Sequence, residues 1–492
     1  MTKFSNIVKF IVVLAFWFYL AGSGQARAQD PQAPPPPQAP AEDKPKPAAR
    51  TYGPIGAEAD QDTQTPADTL QPDQRPLTGF QQPTAGTPLE KHSYWVPGVS
   101  YNNFIQSNGF LGTGGGWSDT NYLAGDLSLL KTWSTSQLAL NYTGGATFST
   151  NSSLGNGFFS ELGASQTFNW ERMQLTILDQ FAYLPQSQFG FGAGTGIALP
   201  GVGGSLGPVS TGLGGGLDPG QSVFTPFGSR YTNLFGIQGT YTFSRKTSVT
   251  FGGIDSLLRF RDPGNIENNE YLGSLGFNYQ MSREDTIGVV YRYASFHYIG
   301  FDQAVGDQSF QLAYGRKITG RLGLQISGGP EITHLRVAQP GSSAQTVAGT
   351  GSISLTYLIP SGSISGSYYH GVTAGSGVFL GATTDQLNGA FTRRISRLWT
   401  ININGGYARN RSIAQITTIS VPNLNLNLNY DTIYANIAAS RPIGHNANVS
   451  LGYTGYIERA NGTCTTSNCG GDFTTNQISL GVNWHTRPFV LP

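Results

Sequence analysis

The sequence predicts an all-β fold: a single antiparallel transmembrane β-barrel of about eighteen strands, with sixteen as the alternative, preceded by a proline-rich, largely disordered segment. Three observations carry this prediction. Asp, Glu, Lys and Arg make up only 12% of the 492 residues, about half of the ~25% usual in soluble globular domains. From Gly98 onward, apolar residues alternate with small polar ones at period two, which is the signature of a strand with one face in oil and one in water. Short and long connections between these segments also alternate strictly.

The N-terminus reads as a secretory signal peptide over residues 1–28. Lys3 and Lys9 precede an apolar run from Phe10 to Ala21, and Ala26-Arg27-Ala28 forms a small-x-small cleavage pattern. That run is too short for a spanning helix, which needs ~20 apolar residues. Residues 29–97 hold 15 of the 28 prolines. Proline at this density favours extended, solvated backbone over a packed core. We read the segment as a periplasmic spacer, with cell-wall or periplasmic contact as the functional alternative.

Residues 98–492 form the predicted barrel. Leu138, Leu140 and Tyr142 interleave with Ala139, Asn141 and Thr143, and Ile287, Val289, Tyr291 and Tyr293 with Gly288, Arg292 and Ala294. Eight short turns are expected near residues 132–136, 170–171, 244–246, 282–284, 316–320, 360–361, 393–397 and 441–445. With nine longer connections between them, the count is eighteen strands and both ends fall on one side. Trp133, Trp170, Phe243, Tyr279, Tyr314, Tyr357, Phe391 and Trp399 sit beside the short turns, where an aromatic girdle belongs at a membrane interface. A closed barrel is the only sheet a bilayer accepts, because it leaves no backbone edge unpaired.

A barrel of this size leaves an aqueous lumen unless something fills it. Phase places Asp126, Glu161 and Arg292 on the inner face, and Gln238 and Asn278 join them as pore-lining candidates. Asp179, Asp255, Asp385 and Asp431 lie where the alternation slips, so their facing stays open, with bulges as one cause. Cys464 and Cys469, in the last long loop as CTTSNC, are expected to form a small disulfide in an oxidising compartment. Two such ligands with no nearby histidine make a poor metal site. The six histidines are scattered, and the glycine-rich loop lacks the Lys-Ser/Thr ending of a phosphate cradle. We expect no enzyme activity, no cofactor and no metal; only His297, Tyr298 and Asp302 come near one another at a rim. The formal net charge of +1 offers no basic surface for nucleic acid.

The whole pattern from Gly98 resembles the Gram-negative outer-membrane β-barrels of the porin type. The resemblance implies outer-membrane lipid as the surroundings and barrel-assembly machinery as a partner in biogenesis; homo-oligomerisation stays open. The last strand, Ser479 to Trp484, resembles the C-terminal assembly signal of such barrels but continues to Pro492 instead of stopping at an aromatic. In porins the third external loop folds inward as a constriction. Here that loop runs from Leu184 to Arg230, with Phe189, Phe191, Asp218 and Phe224 as constriction candidates. The expected activity is passive diffusion of small, mostly neutral or weakly polar solutes. A non-conducting surface-structural or adhesive barrel and a polysaccharide export conduit are the alternatives.

Overall fold

The computed structural model describes residues 93–107, 116–150, 156–184, 229–261, 265–301, 303–336, 343–375, 380–413, 429–444, 446–461 and 472–491. The signal peptide, nearly all of the spacer, the constriction candidates Phe189, Phe191, Asp218 and Phe224, and both cysteines lie outside these residues.

The chain forms β1 (Ser93–Ser107), β2 (Trp117–Thr132), β3 (Ser136–Ser149), β4 (Gly157–Asn169), β5 (Met173–Leu184) and β6 (Arg230–Thr242). It continues through β7 (Thr247–Phe260), β8 (Asn268–Gln280), β9 (Asp285–Tyr298), β10 (Ala304–Lys317), β11 (Leu322–Arg336) and β12 (Ser343–Ile359). The last third holds β13 (Gly362–Thr373), β14 (Ala382–Arg394), β15 (Thr400–Ser412), β16 (Asn429–Ile443), β17 (Ala447–Asn461), β18 (Phe473–His485) and the short β19 (Phe489–Leu491). From β1 to β18 each strand pairs antiparallel with its sequence neighbour, and β1 pairs with both β2 and β18, so the sheet closes on itself. A closed sheet has no unpaired edge.

The expected eighteen strands are all present, with β19 as one extra piece. β18 and β19 run along β1 as a single interrupted stave: Gly98 pairs with His485 and Trp95 with Phe489. Two residues of β1, Val96 and Pro97, therefore face three, Thr486 to Pro488. That one-residue excess is a β-bulge, and it falls where proline removes a ladder donor. The barrel accordingly begins at Ser93 rather than Gly98 and ends beyond Trp484, with Phe489 stacked on Trp95 at 4.8 Å between ring centres.

The eight short turns lie where the sequence placed them, and four share one device. The hydroxyls of Ser244, Ser282, Thr319 and Ser396 each accept from the backbone N–H groups two and three residues on. A Ser or Thr hydroxyl used this way stabilises a tight reversal without glycine. Trp133, Trp170, Phe243, Tyr279, Tyr357 and Trp399 stand exposed on the outside beside these turns.

Alternation sorts the rest. In β9, Ile287, Val289, Tyr291 and Tyr293 face outward, while Val290, Arg292, Ala294 and Phe296 are buried inward. Outward Leu275, Phe277, Leu312, Ile353, Leu387, Ile433, Ile437 and Leu480 continue an exposed apolar belt around the barrel. In water such a belt would be an unusually large apolar patch; against lipid it is the surface a spanning barrel presents.

Candidate functional site

The inner wall is the candidate site. Following the register around the barrel, Asp126, Glu161, Gln238, Asn278 and Arg292 all fall on the inner face. They are spread over five strands and do not form one constellation. Each charged one has its own partner.

Asp126 on β2 meets His485 on β18, with Oδ2 to Nδ1 at 3.2 Å. Both flank Gly98, which is the cross-strand partner of each. A side chain at position 98 would collide with both groups, so glycine there leaves the saddle across which the pair closes the β1–β18 seam. Gly406 does the same for Tyr434, whose hydroxyl donates to Asn388 Oδ1 at 2.9 Å over β15. Glu161 on β4 interacts across β5 with the guanidinium of Arg230.

Arg292 lies at the centre of a larger buried group. Its Nη1 donates to the Tyr369 hydroxyl at 3.2 Å, and Asp307 and Glu270 act on its charge. Thr333 donates to Asp307 Oδ1 at 3.2 Å, and Glu331 Oε1 accepts from the Val372 N–H at 3.3 Å. Glu270, Asp307, Glu331 and Glu458 are inward carboxylates that the candidate residues above do not include. The alternation that placed Arg292 could have found them: Asp307 is three residues from outward Phe310, and Glu331 sits between outward Pro330 and Ile332.

An inward-turned element is present at another connection. The ends of the β13–β14 connection turn into the lumen and dock on the inner face of β9 and β10. Tyr298 donates its hydroxyl to the Ala374 carbonyl at 3.2 Å, and Gln303 donates to the Leu380 carbonyl at 3.1 Å. Val372, Ala374 and Leu380 pack with Ile266, Phe296, Tyr298, Val305 and Leu335, against Phe301 and Ile413. Gly375 and Gly381 take φ of 86° and 93° at the two bends, a region open chiefly to glycine. A second inner apolar patch joins Phe104, Tyr122 and Phe159 edge to face.

The structure settles the facing that the sequence left open. Asp179, Asp255, Asp385 and Asp431 face outward in uninterrupted ladders, so no bulge or slip is involved. Strands of 12 to 17 residues outrun the ~9–11 needed to span the hydrocarbon; beyond Asp385 and Asp431 the outward positions include Arg411 and Asn429, whereas Asp179 lies below Phe181 and Tyr183 and accepts from Asn233 Nδ2 at 2.7 Å. His370, one of the six scattered histidines, has its Nδ1 2.6 Å from Asp385 Oδ1. His297 and Tyr298 lie on opposite faces of β9 and form no dyad.

No protein-family profile and no curated protein sequence matches the chain. Among solved structures it is similar to OccK2 (OpdF) of Pseudomonas aeruginosa, with TM-score 0.41 and 9% identity over 80% of this chain and 98% of that one. OccAB3 of Acinetobacter baumannii gives TM-score 0.39 and 11% identity over 80% and 99%. OprD of Pseudomonas aeruginosa gives 0.36 and 9% over 81% and 96%. Likeness at this level says nothing about a solute, so function rests on this chain's own geometry.

Proposed function

We propose that the chain is an outer-membrane β-barrel acting as a passive diffusion pore for small, mostly neutral or weakly polar solutes. The observation that carries this reading is the way the wall treats charge. Asp307, Glu331, Glu458 and Arg292 are inward-facing yet only 0%, 1%, 1% and 2% exposed. These four charges brace the wall, and the partly exposed inner positions are mostly amides and hydroxyls, such as Gln238, Asn402, Asn404 and Thr232, beside the paired Asp126 and Glu161. Buried ionic groups of this kind need partners to offset their desolvation, which the Arg292 group supplies. The apolar outer belt, flanked by aromatic residues at the short turns, supports a membrane-spanning position. The short-turn end, where β1 enters the wall, is the periplasmic one, and the proline-rich segment reaches the cell wall or a periplasmic partner from there.

Liposome swelling tests the solute class. Vesicles carrying the folded protein should admit an uncharged sugar faster than a sugar acid of the same size. Equal rates, or faster entry of the acid, would overturn the solute class while leaving the pore. Entry of neither would favour a non-conducting barrel, in which the inward β13–β14 segment acts as a plug.

A further inference from the structure

One outward feature has no part in conduction. His370, Asp385, Arg409, Asp431 and Arg459 are consecutive cross-strand partners on five adjacent strands, β13 to β17. They form a single rung on the lipid-facing side, in which Asp385, Arg409, Asp431 and Arg459 alternate in charge and His370 stands at the β13 end. Arg409 Nε is 3.6 Å from Asp431, and Arg411 Nη2 is 3.4 Å from Asp385. From below, the hydroxyl of Tyr368 donates to Asp385 at 2.9 Å and that of Tyr407 to Asp431 at 2.7 Å. Asp472, beyond Arg459, turns its carboxylate to the Ala460 N–H at 3.0 Å.

Charge on the outside of a barrel is costly at the bilayer midplane and nearly free at its edge. This rung lies at the edge: Leu387 and Ile433 beneath it are exposed and apolar, whereas Arg411 and Asn429 above it are polar. The ion pairs are also asymmetric. The guanidinium side chains of Arg411 and Arg409 are 49% and 43% exposed, and their carboxylate partners 20% and 23%. The acids lie underneath as braces, and the outermost layer is arginine, joined by exposed Arg459. A planar guanidinium fork matches a phosphate's oxygens.

We propose that the β13–β17 rung docks phosphate-bearing lipid headgroups of the leaflet at the long-connection end, with Arg409, Arg411 and Arg459 as the phosphate donors. This rests on the barrel being embedded in a membrane and is independent of whether it conducts.

The test uses the full chain in phosphatidylcholine nanodiscs doped with phosphatidic acid, and native mass spectrometry counts the retained lipid. Wild type should retain phosphatidic acid over phosphatidylcholine. The variant R409Q/R411Q/R459Q should lose about tenfold or more of that preference. R393Q/R441Q, changed at the short-turn end, should keep it. Heat-modifiable gel migration of all three proteins separates loss of the site from loss of the fold. Unchanged retention in the triple variant would overturn the proposal. So would displacement of the lipid by inorganic phosphate alone, which would make the rung a free-anion site. An oligomer that dissociates in the triple variant without any lipid preference would assign the rung to a second copy of the chain and overturn the proposal equally.

Discussion

Arg292 on β9 and Tyr369 on β13 meet at 3.2 Å although three strands separate them in the wall. The contact is a chord across a sharply curved sector, and the docked β13–β14 segment sits just above it. Removing the tyrosine hydroxyl leaves a buried guanidinium short of an acceptor, which costs about 1–3 kcal/mol. Tyr369→Phe should therefore lower the temperature at which the fast-migrating folded band is lost, and should raise open-channel current noise.

Neutralising the central cation gives a selectivity prediction. Arg292→Gln leaves Glu270, Asp307 and Glu331 without their central cation. The zero-current potential in a potassium chloride gradient should move toward cation preference. An unchanged potential would show that the cluster does not act on the conduction path.

The saddle at Gly98 predicts a seam defect. Gly98→Val drives its side chain into Asp126 and His485, and overpacking of this kind costs about 1–3 kcal/mol. Because the ladder between β1 and β18 is the closing one, the effect should appear as a lower melting midpoint on a heat-modifiability gel. Substituting Val for Gly273, where added atoms meet open space, should change it far less.

Gly381 predicts a looser constriction. Its φ of 93° disfavours any side chain, and a Cβ would come within 3.1 Å of Val305. Gly381→Ala should release the segment from β9 and β10. Proteolysis between residues 374 and 381 should accelerate, and single-channel conductance should rise.

Local chemistry made most of the architecture legible. Period-two alternation placed the strands, and the short breaks in it placed the eight turns. The same phase put Asp126, Glu161 and Arg292 on the inner face. It faltered at Asp179, Asp255, Asp385 and Asp431, because outward was equated with apolar, while an outward acid can pair across strands, as Asp179 does with Asn233 and Asp385 with His370. The start of β1 was hidden by Pro97, which reads as a strand breaker until the bulge opposite it is seen. Partners such as Arg292 with Tyr369, 77 residues apart, and the docking of Leu380 on β9 and β10 depend on wall curvature, which no local pattern encodes.

Single-channel recording of the full chain in a planar bilayer tests the central claim most directly. An open pore with a neutral polar wall predicts discrete ohmic steps, with steps that enlarge when residues 185–229 are deleted if that loop also narrows the lumen. Silence from a protein that migrates as a folded, heat-modifiable barrel, with and without the deletion, would contradict the account.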